Sequence, residues 1–136
     1  MKVDGGLGLT PNIEKIAKEA RSQEERGYDG IWTAETSHDP FLPLTIAAEH
    51  TQNLELGTSI AVAFARNPMV LANIGWDLQA LSKGRFNLGL GSQIKPHITK
   101  RFSMEWSKPA ARMREMVYAM RAIWNTWITG EKLEFR

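Results

Sequence analysis

Short apolar segments alternate along this chain with longer segments in which apolar residues recur every three or four positions. Short apolar runs are typical of buried parallel strands, and the three- and four-residue spacing is typical of amphipathic helices. The pattern predicts four strands, at residues 3–9, 30–34, 54–63 and 86–91. A helix follows each of them, so the predicted order is a βα unit repeated four times.

Proline and glycine mark the predicted ends of the helices. Proline fits the first helical turn, where no hydrogen bond is lost, and glycine fits the left-handed residue just past a helix end. The helices are expected over about residues 10–27, 43–51, 67–84 and 109–130.

The same periodicity predicts which helix faces are buried. In the first helix the inward residues are Ile13, Ile16, Ala17 and Ala20. In the third helix they are Val70, Ile74, Leu78 and Leu81. In the fourth helix they are Met113, Met116, Val117, Met120, Ile123, Trp124 and Trp127.

Strands that alternate with helices favour a parallel sheet with right-handed crossovers. Two architectures satisfy this order, an open doubly wound sheet and a (β/α)8 barrel. A full barrel takes about 250 residues, whereas this chain has 136 residues. The predicted fold class is therefore α/β, of the (β/α)8 TIM-barrel type, with residues 1–136 as a single domain that forms the N-terminal half-barrel. Residues 131–136 read as the start of a further extended segment.

Composition excludes several function classes. Hydrophobic residues make up 43% of the chain, and the formal net charge is only +2, which gives no argument for nucleic-acid binding. The absence of cysteine excludes disulfides and thiolate metal sites. No apolar run approaches the ~20 residues that span a bilayer, and the N-terminus lacks the layout of a signal peptide. The expected location is cytoplasmic, with no membrane or nucleic-acid partner.

In parallel α/β folds, ligands bind beyond the carboxyl ends of the strands. The loop after the second strand carries Glu35, His38 and Asp39 there. His38 can exchange protons near neutral pH, and Asp39 stands beside it, so both are candidate catalytic residues. The alternative for Asp39 is capping of the helix that follows Pro40. One loop supplies at most two metal ligands, so no metal site is predicted.

Two further strand-end segments carry basic residues. Arg66 follows the third strand and could bind a substrate or anion, or pair with a nearby carboxylate. His97 lies in the long connection of residues 92–108, beside several cations that could meet a substrate or an anionic cofactor, or could simply be solvated. Gly89 and Gly91 in the fourth strand indicate close approach of a ligand or of another backbone.

Four stretches, at residues 27–32, 35–40, 56–68 and 82–91, together resemble the luciferase-like monooxygenase family. This family comprises (β/α)8 barrels that use FMN or coenzyme F420. The run of residues 91–97 is similar to the F420-dependent branch.

The resemblance implies roles for particular residues. Family members carry a bulge at the end of the third strand, often with a non-prolyl cis peptide, against the flavin or deazaflavin ring; here it falls at Ser59-Ile60. The implied cofactor-binding residues are Thr58, Ser59, Ile60, Ala61, Gly91, Ser92 and Gln93. His38 and Asp39 would lie near the reactive ring carbon. Some F420 dehydrogenases have a catalytic glutamate just after the fourth strand, and this chain has Gln93-Ile94 there.

The expected function is an oxidoreductase that transfers hydride between F420 and a small organic substrate, with His38 as the proton donor or acceptor. An FMN-dependent monooxygenase is the close alternative. A different class also remains open, namely a non-catalytic half-barrel that assembles through its open sheet edges, since such edges favour association. A homodimer is the expected oligomeric state.

Overall fold

The computed structural model describes residues 1–134, which fall into two compact units. The first unit comprises Met1–Ala61 and Asp77–Leu90, and the second comprises Val62–Trp76 and the residues from Gly91 onward. The predicted extended segment at residues 131–136 has no regular structure up to Glu134. Its last two residues lie outside the described part of the chain.

The strands are β1 (Asp4–Gly6), β2 (Gly30–Thr33), β3 (Glu55–Thr58), β4 (Ala61–Val62), β5 (Phe86–Asn87) and β6 (Leu90–Gly91). Four of them form the sheet of the first unit in the order β1-β2-β3-β5, and every neighbouring pair is parallel. The remaining two, β4 and β6, form a separate two-stranded sheet. The predicted parallel sheet is therefore confirmed.

The third and fourth predicted strands are each divided in two, which the sequence pattern did not predict. The physical reason is a side chain that enters the backbone ladder. The Thr58 hydroxyl donates to the Gly89 carbonyl oxygen at 2.7 Å and accepts from the Gly89 N–H at 3.0 Å. The same carbonyl accepts from the Ala61 N–H at 2.9 Å. Regular backbone pairing between the third and fourth predicted strands is therefore interrupted at Thr58 and Gly89.

The helices of the first unit are α1 (Ile13–Glu25) and α2 (Leu42–His50), which pack against each other. The prediction that α1 starts at residue 10 was wrong, because Asn12 caps the helix by accepting from the Lys15 N–H at 2.9 Å. Ile13 was expected to face inward and is 65% exposed. Gly27 follows the helix end with φ 81, as predicted.

Two longer helices follow, α3 (Pro68–Leu81) and α4 (Pro109–Thr129). The predicted buried face of α3 was wrong at two positions, because Val70 and Leu81 are exposed while Leu71 and Ala72 are fully buried. Apolar residues occur on more than one side of this helix, so periodicity alone could not fix which side is covered.

The buried face of α4 agrees better with the prediction, since Met116, Met120 and Ile123 are buried. Trp127 is exposed, and its ring forms an edge-on pair with Trp76 at 5.4 Å between centroids. Gly130 ends the helix with φ 74, as expected for a left-handed cap.

Arg85 is a hydrogen-bond hub in the first unit. Its guanidinium donates to the carbonyl oxygens of Ser82, Ala48, Thr51 and Leu54 and to the Thr51 hydroxyl, at 2.8 to 3.1 Å. Some of these acceptors lie at the C-terminal end of α2, where carbonyls have no partner within the helix. Arg85 lies in the stretch of residues 82–91 that resembles the family. Its side chain links the end of α2 to the loop before β3.

Glu24 of α1 binds the same loop. Its carboxylate accepts from the backbone N–H groups of Gln52, Asn53 and Leu54, the shortest at 2.6 Å. Burial alone raises the pKa of this carboxyl, but these hydrogen bonds and the charge of Arg85 outweigh burial and lower the pKa below its usual value. Burial also lowers the pKa of Arg85, which the Glu24 charge partly offsets.

We expect Glu24→Gln to weaken folding at neutral pH and to flatten the dependence of stability on pH. The folded pKa of Glu24 lies below the unfolded value of about 4.3, so its contribution is fully present above the unfolded pKa. That contribution is lost as the pH falls through the folded pKa. Urea unfolding measured from neutral to acid pH should show the two curves converging at the acid end. Glu25→Gln, on the exposed side of the same helix, is the control, and a pH-independent gap between wild type and Glu24→Gln would contradict this account.

Candidate functional site

The strand-end segment, residues 58–61, lies at the carboxyl end of β3 in the first unit. The peptide bond between Ser59 and Ile60 is cis, at the position that the family resemblance indicated. The Ser59 N–H donates to the Thr33 carbonyl oxygen at 2.7 Å, and the Ile60 carbonyl oxygen accepts from the Glu35 N–H at 3.1 Å. The end of β2 and the segment are therefore tied together through their backbones.

On its other side the strand-end segment contacts Gly89. A Cβ atom added to Gly89 would collide with the Thr58 carbonyl oxygen. The sequence left open whether Gly89 approaches a ligand or another backbone, and the structure shows that it approaches the backbone of Thr58. Together with the hydroxyl bonds of Thr58, this contact fixes the position of the segment.

Gly57 in β3 is small for a different reason. A Cβ atom added there would collide with the indole ring of Trp32 on the neighbouring strand. The Trp32 ring N–H donates to the Asp4 carboxylate at 3.0 Å, so the indole is held across the sheet. Gly57 therefore serves packing within the sheet.

Asp39 caps helix α2. Its carboxylate accepts from the N–H groups of Phe41 and Leu42 at 2.8 and 3.1 Å. The preceding strand is anchored to the same loop, because the buried Thr33 hydroxyl donates to the Pro40 carbonyl oxygen at 2.8 Å. The capping interpretation of Asp39 is confirmed, while its catalytic role stays a prediction.

His38 is exposed and lies with Asp39 in a groove of about 430 Å³. The groove is formed by the N-terminal parts of α1 and α2 and is mostly apolar, with Ile16 and Ile46 among its lining residues. Glu35 of this loop bonds to the strand-end segment through its backbone N–H. Sequence reasoning did not single out this backbone link, because it depends on the pairing of β2 with β3.

Arg66 belongs to the second unit, where its guanidinium donates to the Val62 carbonyl oxygen at 3.0 Å. It lines a cavity of about 530 Å³ that it shares with Arg112 and Glu115. The Arg112 guanidinium stacks on the Phe64 ring at 4.4 Å from its centroid. Two guanidinium groups and one carboxylate thus line this cavity. The substrate or anion role of Arg66 stays a prediction.

The predicted residues of the fourth strand end also belong to the second unit. Gly91, Ser92 and Gln93 are half-buried, and Gly91 ends β6. Gln93 has a left-handed backbone with φ 57, and its amide oxygen lies 3.2 Å from Nδ1 of His97. Their cofactor-binding role, and the substrate or anion role of His97, stay predictions.

The residues present fit a flat cofactor ring at the strand-end segment. Ser59 is exposed and Ile60 half-exposed, whereas the flanking Thr58 and Ala61 are buried. The segment therefore offers a short accessible backbone surface. Hydrogen bonds to the end of β2 on one side and to Gly89 on the other hold this surface in place. Within residues 1–134, no cluster of three or more metal-ligating side chains occurs, and no helix is both long and apolar enough to cross a membrane.

A family model described as luciferase-like monooxygenase matches residues 1–136. A protein of Mycobacterium tuberculosis (strain ATCC 25618 / H37Rv) is 63% identical over 136 residues, which are 99% of this chain and 39% of the relative. An F420-dependent glucose-6-phosphate dehydrogenase of Rhodococcus hoagii is 34% identical over 127 residues, which cover 82% of this chain and 36% of the enzyme. The chain thus spans less than two fifths of the first and a similar share of the second.

Solved structures show the same fold. The coenzyme F420-dependent tetrahydromethanopterin reductase from Methanopyrus kandleri aligns with a TM-score of 0.77 at 22% identity, over 100% of this chain and 43% of its own. The oxygenating constituent of 3,6-diketocamphane monooxygenase from Pseudomonas putida, in complex with FMN, aligns with a TM-score of 0.78 at 20% identity, over 91% and 40%. The predicted fold class is confirmed, because these are barrels of the luciferase-like type and the match covers about 40% of their length.

Proposed function

The chain belongs to the luciferase-like monooxygenase family, and from that premise we propose that the protein transfers hydride between F420 and a small organic substrate. The observation that carries this proposal is the accessible, hydrogen-bonded strand-end segment at residues 58–61. In a parallel α/β fold this is the sheet edge at which ligands bind. The family as a whole consists of oxidoreductases, and the specific reaction is our proposal.

In this proposal the backbone of Ser59 and Ile60 carries the cofactor ring. The bonds from Thr33 and Glu35 leave this surface little freedom, so the ring would be oriented without reorganisation of the protein. Bound F420 supplies a ring carbon that accepts or donates a hydride. The hydroxyl proton of an alcohol substrate would pass to the imidazole of His38 as the hydride leaves the carbon, and Asp39 would fix the loop by capping α2.

Support for F420 over FMN comes from the relatives. The F420-dependent dehydrogenase of Rhodococcus hoagii is 34% identical, whereas the FMN-containing monooxygenase is 20% identical and supports the fold alone. The two cofactors absorb at different wavelengths, so the spectrum of the full-length protein after purification and after titration with each cofactor tests the choice. Saturable binding of FMN without F420 would favour the monooxygenase alternative, and binding of neither would refute the proposal.

We expect His38→Ala to lower kcat of the full-length enzyme by at least about tenfold while the circular dichroism spectrum stays unchanged. The reason is that His38 is the group on this loop that can exchange a proton near neutral pH. Ser37→Ala, its exposed neighbour, is the matched control and should keep kcat within about twofold. An unchanged kcat in His38→Ala would remove this residue from the mechanism.

A second candidate function, assembly without catalysis, is favoured by the sheet of the first unit. Within the described residues, β1 and β5 each pair on one side only, because they lie at the two ends of the strand order. Open edges of this kind favour association with another chain. A monomer in sedimentation analysis of residues 1–136 would contradict this candidate, and a monomer of the full-length protein would contradict the predicted homodimer.

A further inference from the structure

An exposed histidine of the second unit is held by a glutamine four residues earlier. Nδ1 of His97 lies 3.2 Å from Oε1 of Gln93. An amide oxygen carries no hydrogen and can only accept, so with Oε1 facing the ring this hydrogen bond requires the proton on Nδ1. In a neutral imidazole with its proton on Nδ1, the other ring nitrogen, Nε2, is an acceptor.

The backbone of Gln93 is unusual for its residue type. Its φ of 57 lies in the left-handed region, which few residues other than glycine adopt. Glycine or asparagine would suit this backbone better than glutamine does. Such conformations persist where the surrounding structure requires them. The feature that glutamine adds at this position is a side chain long enough to reach the ring of His97.

The backbone that carries His97 is also fixed. Its N–H donates to the Ile94 carbonyl oxygen at 3.1 Å, and its own carbonyl accepts from the Phe102 N–H at 3.3 Å. The next residue, Ile98, is fully buried and anchors the turn in the second unit. Residues His97–Arg101 form a π-helix, a form found frequently at functional sites. The backbone of His97 is thus held by an anchored turn, and the contact with Gln93 orients its ring.

We propose that Gln93 is a positioning residue that holds His97 in the Nδ1–H tautomer, so that Nε2 meets a ligand as a hydrogen-bond acceptor. The His97 side chain is exposed, so a ligand can reach it. A neutral acceptor selects a hydroxyl or another donor and does not attract an anion. Of the two roles that the sequence suggested for His97, substrate or anion binding, the proposal favours the substrate role. That the donor is a substrate hydroxyl rests on the proposed function, whereas the tautomer does not.

Long-range ¹H–¹⁵N correlation spectra of the full-length protein labelled with ¹⁵N-histidine read the tautomer directly, at a pH where the imidazoles are neutral. Single substitutions of histidine by glutamine assign the signals of His38, His50 and His97. We expect the Nδ1–H pattern for His97. His50 is an internal reference for that pattern, because its Nδ1 lies 2.9 Å from the Ile46 carbonyl oxygen.

Three substitutions at position 93 separate the side-chain contact from the backbone. Gln93→Leu has similar size but no acceptor, and we expect His97 to change to the Nε2–H pattern. Gln93→Glu restores an acceptor of the same length and should restore the Nδ1–H pattern. Gln93→Asn keeps the amide and suits the left-handed backbone but is one methylene too short, so it should behave like Gln93→Leu. An Nε2–H pattern for His97 in the wild type, or no change in Gln93→Leu, overturns the proposal.

Inorganic phosphate tests the kind of ligand. At the same pH its addition should leave the His97 signals unmoved, and a saturable shift would overturn the acceptor role.

In turnover assays Gln93→Leu should lower kcat/KM and Gln93→Glu should recover it, while equal losses in both variants would overturn the positioning role. Failure of the wild type to bind F420 would refute the proposed function but leave the tautomer spectra unchanged, so the two failures are distinguishable.

Discussion

Replacing Arg85 with methionine should lower the free energy of unfolding by about 3 kcal/mol. The guanidinium makes five hydrogen bonds, four of them to the end of α2 and the loop that leads into β3 and the fifth to the Ser82 carbonyl oxygen. Methionine keeps the aliphatic stem and removes every donor, so several carbonyl oxygens lose their partners. The Glu24 carboxylate loses its neighbouring positive charge at the same time. Urea unfolding followed by circular dichroism measures the effect.

Two further variants make the result specific. Arg85→Lys keeps the charge but cannot form the forked set of hydrogen bonds, so it should recover only part of the loss. Arg121→Met, at an exposed position of α4, should change stability by no more than about 0.5 kcal/mol. If Arg85→Lys were as stable as the wild type, charge and not the hydrogen-bond geometry would be the source of the stabilisation.

Gly89→Ala should destabilise the protein by about 3 kcal/mol and weaken cofactor binding. The added methyl group would overlap the Thr58 carbonyl oxygen, which is backbone and cannot rotate away. The strand-end segment would therefore have to move, and with it the bonds that Thr58 and Ala61 make to residue 89. Stability is measured by urea unfolding, and binding by titration of the full-length protein with F420 and FMN.

The matched control is Gly6→Ala in β1. An added Cβ there has nothing within 4 Å, and φ is not in the left-handed region, so the change should stay within about 0.5 kcal/mol. A Gly89→Ala variant as stable as the Gly6→Ala variant would show that residue 89 and the strand-end segment can separate at little cost. The proposed fixed platform for a cofactor ring would then lose its main support.

Several boundaries that depend on local chemistry were predictable, although the start of α1 was not. Gly27, Gly84 and Gly130 each adopt a positive φ just after a helix, as glycine at those places suggests. The start of α4 at Pro109 follows for a similar reason, since proline suits the first turn of a helix. These features need only the residue and its neighbours along the chain.

Features that depend on residues far apart in sequence were not predictable in the same way. The division of two strands follows from contacts between Thr58 and Gly89, which are 31 residues apart. The role of Arg85 depends on acceptors 31 to 37 residues earlier. A motif around such a residue can be seen in the sequence, but its partners cannot.

The candidate site shows the same division. The position of the strand-end segment and the choice of His38 and Asp39 came from resemblance and from the rule that strand ends bind ligands. The capping of α2 by Asp39, the groove around His38 and the contact of Gln93 with His97 required the structure. Side-chain direction at a loop depends on the packing around it, which periodicity does not describe.

The sequence by itself determined the alternation of strands and helices, the parallel α/β class and the residues at the strand ends. These follow from apolar spacing, proline and glycine, which act through the nearest neighbours along the chain. Only the tertiary structure decided that Thr58 replaces backbone pairing, that Arg85 joins α2 to β3, and that Gly89 lies against a backbone. Those outcomes depend on which atoms meet across the sheet, where one carbonyl oxygen or one missing Cβ atom determines what can fit.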